Sequence, residues 1–151
     1  MPRACAGSAD ALGEPVSLVA ADLSVDAAMV RRMDGVRITT AFIPVADPEA
    51  SARWYGRVLG FRVSAEAKRS AVLHSGDGST SLTLLGPSSG IQVNPGLPWA
   101  PCNFAVADID QARSDLQGHG CEPTAVEGNP DICLFFTIQD PDQNTLLITD
   151  R

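Results

Sequence analysis

From residue 37 onward, apolar and polar positions fall into short alternating runs separated by two longer amphipathic stretches. ITTAFIPV (38–45) has the two-residue period of a strand, with Pro44 implying an edge strand or a strand end. Asp47 and the Asp-Pro turn then open a helix predicted to run to about Val58, with Gly60 as its stop. Three short strands follow, FRVSAEA, SAVLHSG and STSLTLLG, the last two joined by an Asp77-Gly78 turn. After a Pro/Gly-rich connector the order begins again. CNFAVA reads as a strand, Asp108 to Gln117 as a helix ended by Gly118 or Gly120, and CEPTAVE, ICLFFTIQ and NTLLITD as strands. The turn from Asp140 to Asn144 joins the last two.

The tripeptide Val-Ala-Asp closes the first strand of each half, at Val45-Ala46-Asp47 and at Val106-Ala107-Asp108. A strand–helix unit that recurs with the same junction marks a duplicated module. The predicted organisation is one domain over 36–151, with module one at 36–86, a connector at 87–100 and module two at 101–151. Each module is β-α-β-β-β. Residues 1–35 differ in character: Leu23, Ala27 and Val30 give only a short amphipathic helix ending near Arg31-Arg32, or a mobile tail.

Composition narrows the choice of partner. A formal net charge of −7 argues against nucleic acid or an anionic membrane and favours a neutral or cationic ligand. No run approaches the roughly 18 apolar residues that span a bilayer. Asp10, Glu14 and Pro15 interrupt anything resembling a secretory signal, so the expected compartment is the cytoplasm. Cys5, Cys102, Cys121 and Cys133 show no C-x-x-C pairing and read as packed thiols.

FIPVADPEASARWYGRVLGF, NFAVADIDQA and FFTIQDPDQN together resemble the vicinal oxygen chelate superfamily of glyoxalases, bleomycin-resistance proteins and extradiol dioxygenases. The resemblance covers about residues 36–150. It implies an α+β fold of two βαβββ modules forming a curved mixed sheet around a cavity, commonly in a homodimer. In metal-using relatives four side chains, usually His, Glu or Gln, hold a divalent ion from the first and last strands of each module. Those positions fall here on Thr40, near Thr83, on Pro101 and on Leu147. Neither these residues nor their strand neighbours supply a carboxylate or imidazole, so no metal and no cofactor are expected.

Period-two alternation then names the lining. If Thr40 faces the cavity so does Phe42, while Ile43 and Val45 pack under the helix. Asn103, Thr145, Leu147 and Thr149 face inward in module two, leaving Leu146 and Ile148 as core. Trp54 and Tyr55 read as core aromatics, and Trp99 as a junction seal or a stacking platform at the cavity mouth. His119 suits a helix C-terminus. His74, on a strand of unknown parity, is the one obvious proton-transfer candidate. Gly86-Pro87-Ser88-Ser89-Gly90 matches the G-x-S-x-G nucleophile elbow but lacks the helix that the elbow requires.

The ligand-binding candidates are therefore Thr40, Phe42, His74, Trp99, Asn103, Thr145 and Leu147, around a small hydrophobic or aromatic compound. Three functions stay open. The first is metal-independent sequestration, as in drug or natural-product resistance. The second is a metal-free isomerase, cyclase or lyase using His74. The third is a glyoxalase- or dioxygenase-like metalloenzyme with atypical ligands.

Overall fold

The structure is a computed structural model and describes residues 36–151; the helix or tail expected at 1–35 lies outside the described residues. Module one comprises β1 (Thr40–Pro44), α1 (Pro48–Leu59), β2 (Arg62–Ala67), β3 (Ser70–His74) and β4 (Ser81–Leu85). Module two comprises β5 (Asn103–Ala105), α2 (Ile109–Gly118), β6 (Glu127–Asn129), β7 (Cys133–Gln139) and β8 (Thr145–Thr149). Each makes a four-stranded mixed sheet, ordered β1-β4-β3-β2 and β5-β8-β7-β6. In both, the first strand pairs in parallel with the last, placing Phe42 opposite Thr83 and Asn103 opposite Leu147. The remaining pairs are antiparallel.

The repeated aspartate has the same task in both halves. Asp47 and Asp108 occupy the N-cap with nearly identical backbone angles, φ −135° and ψ 101° against φ −136° and ψ 111°. Asp47 Oδ1 accepts from the amides of Glu49 and Ala50, and Asp108 Oδ1 from that of Gln111 at 2.9 Å. These bonds satisfy donors that a helix start leaves without partners. Gly60, at φ 72°, then takes the left-handed turn that ends α1 and releases the chain into β2.

The strand faces separate as alternation requires. Ile43, Val45, Ala71, Leu73, Leu82 and Leu84 are buried beneath α1 with Ala52 and Tyr55. Phe136, Ile138, Leu146 and Ile148 form the matching layer in module two, with Ile109 and Leu116 of α2. The opposite face of each sheet carries no helix.

The two modules are fastened together within one chain by the β7–β8 turn. Asp142 accepts from the Ala46 amide and from Ser51 Oγ, both at 3.0 Å. Asn144 is fully buried; its Nδ2 donates to the Pro44 carbonyl at 2.8 Å, and its Oδ1 accepts from the amides of Gly96 and Leu97. A single side chain thus ties together β1, the connector and β8.

One local expectation needs correction, and three others take a definite form. CEPTAVE is not a strand: pairing starts only at Glu127. Pro123 lacks an amide hydrogen, and the segment is held instead by Thr124, whose amide donates to the Thr137 carbonyl while its Oγ1 accepts from the Thr137 amide. Helix α2 includes Gly118, and the left-handed residue is Gly120 at φ 82°, leaving His119 as the cap. Thr149 has the expected parity but is 2 % exposed, because the chain end folds over it and the Arg151 carbonyl takes its hydroxyl. Pro87–Ser89 forms a single 3₁₀ turn in which Ser88 Oγ donates to the Lys68 carbonyl, so no elbow presents a free serine.

Candidate functional site

Two kinds of surface can receive a small molecule. The first is the pair of helix-free sheet faces. On module one, cross-strand register places Arg62, His74, Ser81 and Thr40 in one row across all four strands. The next row is Ala65, Val72, Thr83 and Phe42. Thr40 and Thr83 share a hydrogen bond of 2.9 Å between their hydroxyls, and Ser81 Oγ donates to the Thr39 carbonyl. On module two the corresponding row is Thr137, Leu147 and Asn103. Thr145 lies on the same face, opposite Gln139.

On the sheet faces the candidates from sequence fall into two groups. Thr40, Phe42 and His74 share the module-one face; Asn103, Thr145 and Leu147 share the module-two face. Phe42 is 54 % exposed, a large apolar side chain left open on β1, the edge strand of the module-one sheet. Trp99 is 60 % exposed on the connector, outside both sheets. His74 is half-buried, and among the described residues neither ring nitrogen has a hydrogen-bond partner.

The second kind of surface is a cleft of about 710 Å³ on the helix side, between the modules. The C-terminal end of α1, the start of β1 and the β3–β4 turn form one wall; β5 and α2 form the other. Phe61 and Phe104 meet there edge to face, ring centres 6.0 Å apart. Thr40 and Asn103 reach both this cleft and the sheet faces, because β1 and β5 are the strands at the junction. Sequence reasoning named Thr40 and Asn103 for the sheet faces and missed the cleft that they share. Its walls come from the wrong side of the alternation for a reading centred on the free faces.

A smaller, more polar recess of about 420 Å³ lies at the equivalent place in the repeat, beside Trp54, His119 and Gln143. There the β7–β8 turn contributes Asp140, Pro141 and Gln143 to the lining.

The positions where relatives hold a metal do not suit one in this chain. Thr40 and Thr83 are engaged with each other, Leu147 has no ligand atom, and Pro101 precedes β5. Among the described residues no three His, Cys, Asp or Glu side chains come together as a possible metal-binding group. Burial pushes the thiols of Cys102 and Cys121 up from their ordinary value, which disfavours the thiolate that a soft metal needs. No helix among the described residues is long and apolar enough to cross a membrane.

Comparison with known proteins agrees with the architecture. The chain resembles a member of the glyoxalase/bleomycin resistance protein/dioxygenase superfamily from Sphaerobacter thermophilus DSM 20745 (22% identity, TM-score 0.65), over 76% of this chain and 96% of that one. It is equally similar to TnmS3, an antibiotic binding protein from Streptomyces sp. CB03234 (22% identity, TM-score 0.65), over 77% and 96% of the two chains. A bleomycin resistance determinant encoded on the transposon Tn5 matches at 19% identity and a TM-score of 0.60, over 77% and 98%. No curated protein matches the sequence. The profile of one family spans residues 37–148, nearly the whole described region. The chain belongs to the Glyoxalase/Bleomycin resistance protein/Dioxygenase superfamily.

Proposed function

We propose that this chain is a metal-independent binding protein that sequesters a hydrophobic or aromatic small molecule on its helix-free sheet faces, as a cytoplasmic homodimer. One observation carries the reading. The face of module one offers exposed Phe42 in one row with Val72, and the neutral hydroxyls of Thr40 and Thr83 stand at positions where a metalloenzyme would place its ligands. Module two adds Leu147 and Phe135 among Thr137, Asn103 and Thr145. Apolar area with a few orienting polar groups is the composition of an organic ligand site. Covering that area contributes roughly 25 cal/mol per Å² before ordering costs. The similarity to an antibiotic binding protein and to a bleomycin resistance determinant supports a resistance role.

The test is a thermal-shift screen of planar natural products and small carbonyl compounds, with and without Mn²⁺ or Zn²⁺. A ligand at a hundred times its dissociation constant is expected to stabilise the fold by about 2.7 kcal/mol, equally with and without metal. Stabilisation that appears only with metal overturns the reading.

A second reading draws on the position of His74. Its Cα stands opposite both Arg62 and Ser81 on the same face, where an imidazole can pass a proton to a bound compound. Under that reading the chain is a metal-free isomerase, cyclase or lyase. His74→Ala separates the two: lost turnover with retained binding supports catalysis, whereas a modest loss of affinity with no turnover to lose supports sequestration.

A further inference from the structure

The β3–β4 and β7–β8 turns occupy equivalent places in the repeat but treat the opposite module differently. The β7–β8 turn sends Asp142 and Asn144 into module one and closes the gap with hydrogen bonds. The β3–β4 turn, Ser75 to Thr80, uses its polar groups on itself. Asp77 Oδ1 accepts from Ser75 Oγ and from the Ser79 amide, and Ser75 and Thr80 bond through their backbones. Gly76 and Gly78 have no side chain to extend. Among the described residues, no hydrogen bond from this turn reaches module two. The helix-side cleft is the space that this missing clasp leaves open.

The cleft has the size and lining of a small-molecule site. At about 710 Å³ it lies within the usual range of about 300–1,000 Å³ for such pockets. Val58, Phe61, Phe104 and Leu116 supply apolar and aromatic surface. Its charge is one-sided: Asp77 lies on one wall and Asp115 on the other, and no Lys, Arg or His is among the described residues lining it. The hydrogen bond from Ser75, then that from the Ser79 amide, lowers the Asp77 carboxyl to about 2, so it is ionised at neutral pH. Asp115 Oδ1 accepts from the Gln111 side chain at 2.8 Å and has its second oxygen available.

We infer that this cleft is a second ligand site, opening on the helix side and meeting the sheet faces at Thr40, Ser81 and Asn103, for a cationic aromatic amine. The flat body of the ligand lies against Phe61, Phe104 and Leu116, and its positive charge is turned toward Asp77 and Asp115. Aromatic rings attract cations through their faces as well as burying apolar surface, so the lining and the carboxylates favour the same compound. Cys102, on the β5 wall, is the built-in reporter of occupancy.

The experiment titrates 9-aminoacridine, a planar cation, against anthracene-9-carboxylate, a planar anion of similar size. Dye fluorescence gives the dissociation constant. Mass spectrometry gives the rate at which iodoacetamide alkylates Cys102, with Cys133 as the reference thiol. The cation is expected to bind saturably and to slow alkylation of Cys102 alone, and the anion to do neither. Asp115→Asn is expected to weaken the cation about fivefold, as loss of one partly solvated charge contact would. Ala112→Phe, which fills the cleft from α2, is expected to abolish binding. No binding, equal binding of both dyes, or an unchanged constant in Asp115→Asn overturns the inference. If Cys102 is shielded without dye, in proportion to protein concentration, a second copy of the chain covers the cleft, and the inference is likewise overturned. Dye binding lost in Phe42→Ala places the dye on a sheet face, which overturns this inference while leaving the proposed function standing.

Discussion

Tyr55 donates its phenolic hydrogen to Asp140 Oδ2 across 2.8 Å, joining the helix of module one to the last turn of module two. Both residues are buried, so the bond is a charged-acceptor contact shielded from water and stronger than a neutral one. Tyr55→Phe removes the donor and leaves the carboxylate one partner short, with Asn144 Nδ2 and two backbone amides still holding it. The expected cost is about 1.5–3 kcal/mol, read from the urea midpoint with an unchanged slope.

The same contact gives the fold an alkaline limit. Burial, and after it the negative Asp140, push the Tyr55 hydroxyl far above its ordinary value of 10.0. A group whose proton is held more tightly in the folded state stabilises fully below its unfolded value and loses that contribution as pH rises past it. Stability is therefore expected to fall above about pH 10. Tyr55 is the sole tyrosine in the sequence, so phenolate absorbance near 295 nm reports on it alone. The prediction is that this absorbance appears together with unfolding; a smooth titration in the folded protein would contradict it.

Asn144 is the second fastening, and its loss should cost more than its size implies. Asn144→Ala strips hydrogen bonds from the Pro44 carbonyl and from the Gly96 and Leu97 amides. Pro44 and Leu97 are half-buried and Gly96 is exposed, so each lost bond counts at about 1 kcal/mol, and the bond from Asn144 Nδ2 to Asp140 goes with them. A destabilisation of about 3 kcal/mol or more is expected, measured by thermal denaturation. Limited proteolysis should also find new cleavage around Gly96, because the amide anchors of the connector are gone.

Much of this was legible because strand and helix patterns are local. Asp47 and Asp108 cap helices by reaching only two or three residues ahead, and the Ile43/Val45 and Leu146/Ile148 alternation follows from the pleat alone. The partners of Tyr55 and Asn144 were not legible. Each contact spans a separation set by how the modules dock, and no local period encodes that. The helix-side cleft was hidden for a related reason: it exists because Ser75 to Thr80 fails to make contacts that its counterpart makes.

Thiol chemistry offers a further check. Burial raises the thiols of Cys102 and Cys121, and only the thiolate reacts. Both are expected to alkylate much more slowly at pH 8 in the folded protein than in urea. Their rates should keep rising with pH beyond the point where an ordinary thiol levels off. Equal labelling rates at pH 8 in the folded protein and in urea would contradict this expectation.

The sheet-face reading makes a prediction that separates binding from folding. Phe42 and Asn103 are both exposed on helix-free faces, and neither belongs to the buried layer under α1 or α2. Phe42→Ala and Asn103→Ala should each change stability by less than about 0.5 kcal/mol, as surface substitutions do. If those faces hold the ligand, Phe42→Ala removes apolar contact and Asn103→Ala an orienting amide. Each should then weaken any compound found in the thermal-shift screen, Phe42→Ala by about tenfold or more, given roughly 1.5–3 kcal/mol for a fully covered aromatic. Calorimetric titration of both variants decides the matter: unchanged affinity in both would remove the sheet faces from the site.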